Sequence, residues 1–459
     1  MKNFKFFIHI FGPCPKMKGE IVMKNFKALQ SKRQFVRNKV VVGIDPAKRG
    51  FQGVVLDPNG VLLSTPFKFD ADHHGFHHIL WNKLKQHIEN FNSQNLVFAV
   101  ETSCNLWQPL CCYLHRCGCQ VLLVSPLSTK HARPFISHDF SRTDPKDALL
   151  IASNARDGYF DFYQVFNPHS NAMHRLGITY DKLRKNYVQN RLRIRALIEQ
   201  HFPEFFRVLN LDTDTGKHII KRYFLPEDFL KMEINQEAEI IMKISQKQHG
   251  RDTLNKLREL AGQSIGIPLQ PEEIPAARLS LNCWITLLES IEEQMKAVMN
   301  ELIRLAKQTP YFNAIVSLKG ISNKLAALFI AETRDLSKFK HYKQIEKYAG
   351  LNLKQSQSGN YVGARHISHI GNRRLRWILY KIAQETVRYI PEVRMKYLKR
   401  QVNRRNYRKN LIACVPIVLK LILVLSRENR MYEYRSDNLE ELQKLEATYE
   451  KMKKNQQAA

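Results

Sequence analysis

The stretch KVVVGIDPAK, residues 39–48, decides the fold of the first part of the chain. Its apolar run leads directly into Asp45 and Pro46, which is the pattern of a buried β-strand that ends in an acid and a turn. A second run of the same kind, NLVFAVETSC at residues 95–104, ends in Glu101. A carboxylate that finishes a buried strand is held rigidly at the edge of a sheet, so both acids are candidates for one site.

The pattern around these two runs predicts a mixed sheet. From Val40 to about Phe69 the chain reads as three strands joined by turns, with DPNG at the second turn. A helix then precedes the strand of Glu101, and a helix, the strand VLLVSP and a helix from Asp144 follow it. This order is typical of the ribonuclease H-like fold, a mixed sheet with helices on its faces. The first and fourth strands are neighbours in that fold, which places Asp45 beside Glu101.

Two further acids, Asp144 and Asp147, open the helix RTDPKDALLIA at residues 142–152. All four acids have ordinary interpretations as turn or helix-capping residues, and an aspartate, a proline and a second aspartate at this spacing resemble a capping box. The same spacing puts both helical carboxylates on one face. In a ribonuclease H-like sheet that face docks where the first strand ends. We therefore predict one catalytic and metal-binding site made of Asp45, Glu101, Asp144 and Asp147.

Such a set of carboxylates indicates phosphodiester chemistry. Oxygen ligands suit Mg²⁺, and two such ions about 4 Å apart can stabilise both the attacking and the leaving oxygen of a phosphodiester. We therefore expect Mg²⁺ as the cofactor, as two ions. The sequence contains no Walker loop, Rossmann fingerprint or serine-hydrolase elbow, so nucleotide hydrolysis and acyl transfer lack support.

The charge of the chain indicates a nucleic-acid partner. Its 459 residues include 72 Lys and Arg against 42 Asp and Glu, a formal net charge of +30. This excess suits the neutralisation of phosphates and would be awkward for a metabolic enzyme. A ribosome-associated or merely basic protein is the alternative. Five of the eight cysteines lie between Cys104 and Cys119, where we interpret them as small apolar side chains rather than zinc ligands.

Targeting signals are weak, and we expect a cytoplasmic protein that does not bind or span a membrane. The first residues have a basic start and a short apolar run, but no convincing cleavage site follows. The string MKNFK occurs twice, so Met1 and Met23 are both candidate starts. The apolar segment IACVPIVLKLILVL is interrupted by Pro416 and Lys420 and is shorter than the roughly 20 residues of a bilayer span.

The second half of the chain is predicted to be helical. From about Asn171 to Thr309 long charged helices with heptad-like apolar spacing suggest a coiled-coil or helical-hairpin arm, which usually holds protomers together. Gly320 and Ile321 between two helices resemble a helix-hairpin-helix, whose turn contacts DNA phosphate. The predicted segments are an N-terminal extension, a catalytic domain, the arm, a C-terminal helical domain and a charged tail that forms a frayed helix, at residues 1–39, 40–165, 166–310, 311–430 and 431–459.

Basic residues near the end of this helical domain are candidates for contacts to nucleic acid. They follow the polar loop KQSQSGNYVG and open a basic helix. The alternative is a solvated, merely basic helix face. Lys319 and Gly320, at the helix-hairpin-helix turn, are candidates of the same kind. The predicted contacts to phosphate or RNA are therefore Lys319, Gly320, Arg365, Arg373, Arg374 and Arg376.

These motifs together resemble the DEDD transposases of bacterial insertion sequences, the insertion-sequence one-hundred-and-ten family, whose first domain is similar to the Holliday-junction resolvase RuvC. The resemblance rests on GIDPAK, ETSCNLW, VSPLSTK and RTDPKDA, and on GLNLKQSQSG, HISHIGNRRLR and the helix after Pro391. RTDPKDA and the QSG, IGN and LR series are the most specific parts. It covers most of residues 40–165 and 311–430, so it implies that the second of these is a transposase domain.

The resemblance carries several expectations about mechanism. It implies that the four acids are catalytic, and that Ser358 is a nucleophile that joins DNA transiently through a phosphoserine. It also implies a composite site completed by a partner protomer in a dimer or tetramer, and a structured guide RNA from the element's flank that pairs with donor and target DNA. The protein would then act in the bacterial cytoplasm at the nucleoid. From the residues alone, Ser356 and Ser358 are equivalent, and His369 stands where the family commonly has a lysine.

Two other functions stay open at this point. A junction-resolving nuclease would use the same acids with water as the nucleophile, and Ser358 would then be incidental. A non-catalytic nucleic-acid-binding relative of a transposase would keep the charge but would not need all four acids. Their presence argues against the second alternative.

Overall fold

A computed structural model describes residues 15–48, 50–88, 95–137, 143–354, 357–358, 361–362, 366–403, 406–434 and 439–457. The chain divides into two compact units, unit 1 at Met1–Val165 and unit 2 at Phe166–Ala459. Unit 1 contains, in order, helix α1 Pro15–Val36, strands β1 Val40–Pro46, β2 Gly50–Leu56 and β3 Phe67–Asp70, a π-helix Gly75–Ile79, α2 Leu80–His87, β4 Leu96–Glu101, α3 Trp107–Arg116, β5 Gln120–Val124, α4 Pro126–Ser137, α5 Asp144–Arg156 and β6 Asp161–Phe162.

The strands of unit 1 form one mixed sheet of six strands in the order β3-β2-β1-β4-β5-β6. Strand β1 runs antiparallel to β2 and parallel to β4, and β5 continues parallel to β4. The prediction that the first and fourth strands are neighbours is confirmed, with Ile44 opposite Val100 in the register. Strand β6, which the sequence did not reveal, pairs antiparallel with β5.

The third strand is shorter than the sequence predicted. The third of the predicted strands is the run VLLSTPFKF at residues 61–69, yet only Phe67–Asp70 forms β3. The Oγ of Ser64 accepts a hydrogen bond from the backbone N–H of Val55, and the N–H of Leu63 donates to the Val55 carbonyl. The N–H and the carbonyl of Val55 in β2 are therefore satisfied by one side chain and one backbone N–H. Pro66 has no N–H to donate to a strand ladder, so regular pairing begins only after it.

The sheet separates two apolar cores, because alternate strand residues point to opposite faces. Val42, Ile44, Phe98 and Val100 join a core with α2 and α3. Cys111 and Cys119 are buried in this core, where burial raises the pKa of their thiols to about 12 and about 11. On the other face Val41, Val97 and Ala99 pack against α5.

Helix α5 lies directly on the backbone of β1 at Gly43. A Cβ atom added to Gly43 would stand 2.3 Å from the carbonyl oxygen of Ala148 and 2.7 Å from the Cβ of Ala152. Only the absence of a side chain on the strand, combined with alanines on the helix, permits this approach. The start of α5 is thereby held over the end of β1.

The described residues of unit 2 form helices, the loops between them and four two-residue strands. Its elements are α6 Pro168–His201, a 3₁₀ helix Pro203–Arg207, α7 Asp214–Arg222, α8 Pro226–Leu230, α9 Ile234–Ile244, α10 Arg251–Gly262, α11 Ile274–Lys307, α12 Phe312–Val316, α13 Asn323–Thr333, a 3₁₀ helix Leu336–Lys338, α14 Tyr342–Tyr348, β7 Leu353–Lys354, β8 Gln357–Ser358, β9 Tyr361–Val362, β10 His366–Ile367, α15 Arg373–Thr386, α16 Pro391–Gln401, α17 Tyr407–Glu428 and α18 Leu439–Gln457.

The predicted arm is built on two helices of 34 residues each, α6 and α11, which pack along one another. The side-chain amide of Asn190 donates a hydrogen bond to the Trp284 carbonyl between them, at 2.6 Å. The short helices α7 to α10 do not form a simple connection, because they enclose a separate apolar core with the ends of the two long helices. The arm therefore ends in a small globular lobe.

The last third of unit 2 surrounds helix α17. By length and composition this helix is apolar enough to cross a membrane, and more than half of its apolar stretch is buried inside the unit. It runs for 22 residues, through Pro416 and Lys420, and is longer than the sequence suggested. Helix α18 was expected to fray, yet Leu442 enters the core and Glu446 pairs with Arg394 of α16 at 3.2 Å.

Substitution of Gly43 by alanine tests the close contact of α5 with β1. The added Cβ meets backbone and helix atoms that cannot move separately, so Gly43→Ala should lower the free energy of unfolding by about 3 kcal/mol. Urea unfolding of the purified protein measures this loss. Gly262→Ala is the matched control, because its Cβ would meet nothing closer than 4.0 Å at the end of α10. Equal stability of Gly43→Ala and the original protein would contradict the contact.

Candidate active site

Asp45 and Glu101 occupy adjacent strands at the same end of the sheet. They follow the paired residues Ile44 and Val100 in the parallel β1–β4 register. Asp45 lies within β1 rather than in the turn after it, and Glu101 ends β4 well before α3 begins at Trp107. Both are buried, with 9 % and 5 % of their surface exposed. Strand alternation directs them to the face that α5 covers, so neither the turn nor the helix-cap interpretation describes them.

The two acids of α5 differ in their surroundings. The helix begins at Asp144 itself, and Thr143 is the N-cap residue, without a capping hydrogen bond from its side chain. The interpretation of Asp144 as the N-cap is therefore wrong. Asp144 is exposed, whereas Asp147, one turn further along the helix, is buried. The buried carboxylate is thus Asp147, next to the Ala148 that touches β1.

Among the described residues, Asp147 pairs with Arg133 of helix α4. The guanidinium donates two hydrogen bonds to the carboxylate, from Nε to Oδ1 and from Nη2 to Oδ2, each 2.9 Å long. This hydrogen bonding raises the pKa of Arg133 above its ordinary value, and the charges of Asp147, Glu101 and Asp45 add to the effect. The charges of all three buried acids therefore act on the guanidinium of Arg133.

The structure thus brings Asp45, Glu101 and Asp147 to one end of the sheet, with Asp144 exposed one helical turn away. In the described parts of the chain no three acidic, histidine or cysteine side chains stand close enough together to hold a metal ion. The donor chemistry nevertheless fits Mg²⁺, because every candidate ligand is a carboxylate oxygen. The metal-binding and catalytic roles of the four acids stay predictions.

Gln52 belongs to the same region and was missed from the sequence. It is the Cα partner of Asp45 on β2, and alternation with Val54 directs it to the α5 face. Its Oε1 is buried and accepts no hydrogen bond among the described residues. A polar residue at an inward position of a buried strand is the signal that could have revealed it. An unsatisfied buried oxygen is costly, so Gln52 adds an acceptor atom of unexplained purpose on the strand beside Asp45.

The serine of the second unit lies on a narrow hairpin. Strand β7 pairs with β10, and the two strands between them in the sequence, β8 and β9, pair with each other. In the second ladder Ser358 is the Cα partner of Tyr361. We call the four strands β7 to β10 the serine hairpin. The sequence predicted a polar loop here, and the two ladders are too short to leave a periodic signal. Ser356 and Arg365 lie outside the described residues, so the structure does not choose between the two serines.

Buried polar contacts anchor the base of the serine hairpin. The backbone N–H of Ser368 donates to the Asn352 carbonyl at 2.8 Å, and its hydroxyl donates to the Asn352 side chain at 2.7 Å. Four residues later Asn372 caps α15 and donates to Glu332, a glutamate that is 2 % exposed. The first two contacts join the two ends of the hairpin to each other, and the third ties the segment after it to Glu332 in the core of unit 2.

Two of the predicted phosphate-binding arginines serve this anchoring. The guanidinium of Arg374 donates to Glu332 at 2.6 Å, and Arg376 donates to the carbonyls of Ala349 and His369 at 2.8 and 3.3 Å. Both therefore stabilise the fold around the hairpin. Their contact with phosphate, which would compete with these bonds, stays a prediction.

The remaining predicted contacts occupy the surface of unit 2. Arg373 is exposed at the first position of α15. Lys319 is exposed, with its ammonium 5.5 Å from the centre of the Tyr389 ring. Gly320 has a φ of 102°, and a Cβ added there would stand 2.9 Å from the Glu385 carbonyl oxygen. A side chain at Gly320 would therefore meet both a strained φ and the backbone of α15, while the role of this turn in phosphate binding stays a prediction.

Comparison with known proteins gives matches in both units. Residues 42–203 match the family model of the DEDD transposases of the IS110 type, described as transposase, and residues 313–398 match that of the transposase IS116/IS110/IS902 family. The chain is similar to the transposase for insertion sequence element IS1111A of Coxiella burnetii, at 22 % identity over 88 % of this chain and 94 % of that protein. It is also similar to an uncharacterized 44.8 kDa protein of insertion element IS116 of Streptomyces clavuligerus, at 25 % identity over 63 % and 72 % of the two chains.

A pH-dependent stability follows from Glu346, whose carbonyl accepts a hydrogen bond from Leu351 just before the serine hairpin. Burial raises the pKa of its carboxyl group from 4.5 to about 7, and the charges of Lys343 and Lys420 oppose the rise. The carboxyl pKa is higher in the folded chain, so its stabilising contribution is complete below pH 4.5 and is lost as the pH rises through about 7.

Glu346→Gln should therefore stabilise the protein at pH 8 by about 1 to 2 kcal/mol, after allowance for solvent screening, and progressively less as the pH falls. Thermal unfolding at a series of pH values measures the difference. Glu450→Gln, a change of an exposed glutamate in α18, is the control. Its difference in stability from the original protein should be the same at every pH. A Glu346→Gln effect that does not depend on pH would contradict the buried, protonated carboxyl.

Proposed function

The chain belongs to the IS110 family of transposases, and from this premise we propose that it cleaves and rejoins DNA through a metal-dependent acidic site and the nucleophile Ser358. We call Asp45, Glu101, Asp144 and Asp147 the acid site. The observation that supports the proposal is that three buried carboxylates, from two neighbouring strands and from the helix packed on them, lie at one end of the sheet. Burying charged groups is costly unless they are paired or bind a cation.

The sheet of unit 1 supports a ribonuclease H-like assignment. Three antiparallel strands in the order β3-β2-β1 are followed by β4 and β5 in parallel with β1. The acids lie at the ends of the first and fourth strands and at the start of the helix that covers them. This is the arrangement that a ribonuclease H-like nuclease needs in order to converge its ligands.

The acid site fits Mg²⁺ by the chemistry of its donors. Asp45, Glu101 and Asp147 would hold the ion from the buried side, and the exposed Asp144 would face solvent and substrate. Mg²⁺ bound there would stabilise negative charge on the attacking and leaving oxygens of a phosphodiester. The protein supplies rigidity, because two ligands are fixed by the ladder of β1 and β4 and the third by the contact of α5 with Gly43.

Ser358 is the residue we propose as the nucleophile. Its Oγ forms a bond to phosphorus while one ester bond between phosphorus and a deoxyribose oxygen breaks. The hydroxyl proton passes to a base at the acid site, and the released sugar oxygen takes up a proton. The phosphoserine keeps the energy of the broken bond, so reversal onto a second strand rejoins DNA without a nucleotide triphosphate. A small residue on a narrow hairpin suits close approach to a DNA backbone.

The acids belong to unit 1 and the serine to unit 2. We propose that protomers assemble through the helical arm as a dimer or tetramer, and that the acid site of one protomer serves the serine of another. The net charge of +30 supports binding of DNA and of a structured guide RNA from the flank of the element. Arg373 and Lys319 are exposed, and among the described residues neither is paired with a carboxylate, so these two are the candidates for the contacts.

The acid site is tested by Asp45→Asn, Glu101→Gln and Asp147→Asn. Each should lower strand cleavage at least about a hundredfold, because loss of a direct ligand exceeds the effect of losing a supporting residue. Cleavage of labelled element-end DNA, with the flanking RNA and Mg²⁺ supplied, measures the loss, and fluorescence anisotropy should find DNA binding nearly unchanged. Asp161→Asn, a change of an exposed acid in the same unit, is the control. Unimpaired cleavage by all three variants would exclude the acid site.

The serine mechanism is tested by Ser358→Ala beside Ser356→Ala. The first variant should lose recombination and the covalent protein–DNA adduct, because its side chain cannot form a phosphoserine, whereas the second should retain both. Adducts are detected after denaturation as labelled DNA that migrates with the protein. If Ser358→Ala still cleaves DNA in Mg²⁺ and rejoins none, water is the nucleophile and a junction-resolving nuclease is the better description.

A further inference from the structure

The ion pair between Arg133 and Asp147 occupies the position that the proposed metal site requires. Both carboxylate oxygens of Asp147 accept hydrogen bonds of 2.9 Å from the guanidinium. The carboxylate is almost fully buried, whereas the side chain of Arg133 is 20 % exposed. A paired geometry of this kind fixes both the position and the rotation of the carboxylate.

The acids are not gathered as a metal site while Asp147 is held by this pair. Among the described residues no three acidic side chains lie close enough together to coordinate an ion. The negative charges of Glu101 and Asp45, as well as that of Asp147, act on the guanidinium of Arg133. The guanidinium is planar and presents its donors as a rigid fork, so it occupies the side of Asp147 from which a cation would bind.

Helix α4 is weakened next to Arg133. Pro134 lies inside the helix. Proline has no N–H to donate to the carbonyl four residues earlier, and its ring disturbs the preceding turn. The segment that carries the guanidinium therefore resists displacement less than a regular helix would.

We propose that Arg133 is an exchangeable positioning residue, which holds Asp147 in the metal-free protein and yields it to the divalent cation. The inference rests on the proposed acid site. In the metal-free state Arg133 offsets the repulsion among the carboxylates and keeps Asp147 oriented. When a cation binds, the guanidinium leaves Asp147, so metal binding and movement of Arg133 are one event. The cost of breaking the pair then lowers the affinity for the cation.

The test is a titration of the full-length protein with Mn²⁺, in which electron paramagnetic resonance measures the concentration of free Mn²⁺. Arg133→Gln removes the competitor, so it should bind Mn²⁺ at least about tenfold more tightly than the original protein. The same variant should melt at a lower temperature without metal and recover most of the loss with Mn²⁺. Guanidinium ion at a sub-denaturing concentration should weaken Mn²⁺ binding in Arg133→Gln, which a merely structural role of Arg133 would not predict.

Two further variants make the result unambiguous. Arg133→Lys keeps the charge but cannot bind both oxygens, so it should show an intermediate Mn²⁺ affinity, and it replaces Arg133→Gln if that variant does not fold. Arg156→Gln is the control, because Arg156 lies in the same unit and donates to the backbone of Asp57. Its Mn²⁺ affinity should be unchanged.

Failure of this inference differs from failure of the proposed function. If Asp147→Asn abolishes Mn²⁺ binding while Arg133→Gln and Arg133→Lys bind it no more tightly than the original protein, the acid site stands and the exchange is wrong. If Asp45→Asn and Asp147→Asn leave Mn²⁺ binding intact, no cation binds at the acid site and both proposals fall together.

Discussion

The contact between strand β1 and helix α5 at Gly43 is the constraint on which the acid site depends. The strand carries Asp45, and the helix begins with Asp144 and Asp147. Because Gly43 has no side chain and Ala148 and Ala152 have small ones, the helix backbone rests on the strand backbone. A larger residue at this point would lift the start of α5 away from the sheet. The chemistry therefore depends on three residues that take no part in it.

Buried charge is the second constraint, and the two units meet it in the same way. Asp147 in unit 1 and Glu332 in unit 2 are both nearly fully buried, and each is paired with a partly exposed arginine. Removing one member of such a pair is expensive, because the other charge stays buried without compensation. In unit 2 the pair secures the base of the serine hairpin. In unit 1 it lies where a cation would bind, which makes the same interaction a candidate for exchange.

Much of unit 1 was predictable because its signals are local. Long apolar runs that end in acids predicted β1 and β4, and the order of elements predicted that these strands are neighbours. The third strand was predicted too long, because the hydroxyl of Ser64 replaces a backbone partner. The sequence predicts a loop where the serine hairpin lies, because each of its ladders has only two residues on each side and such short strands show no alternation of apolar and polar residues. The prediction that the tail frays was wrong, because Leu442 packs into a core whose other members lie far away in the sequence.

The sequence by itself determined the four acids, the strands and the helix that carry them, the excess of positive charge and the resemblance to a transposase family. These features depend on residue type and on spacing along the chain. The tertiary structure alone decided that Arg133 holds Asp147, that Gln52 lies opposite Asp45, and that Arg374 is bound to Glu332. The reason is physical: a hydrogen-bond partner is chosen by distance in space, and residues far apart in sequence leave no periodic trace of their meeting.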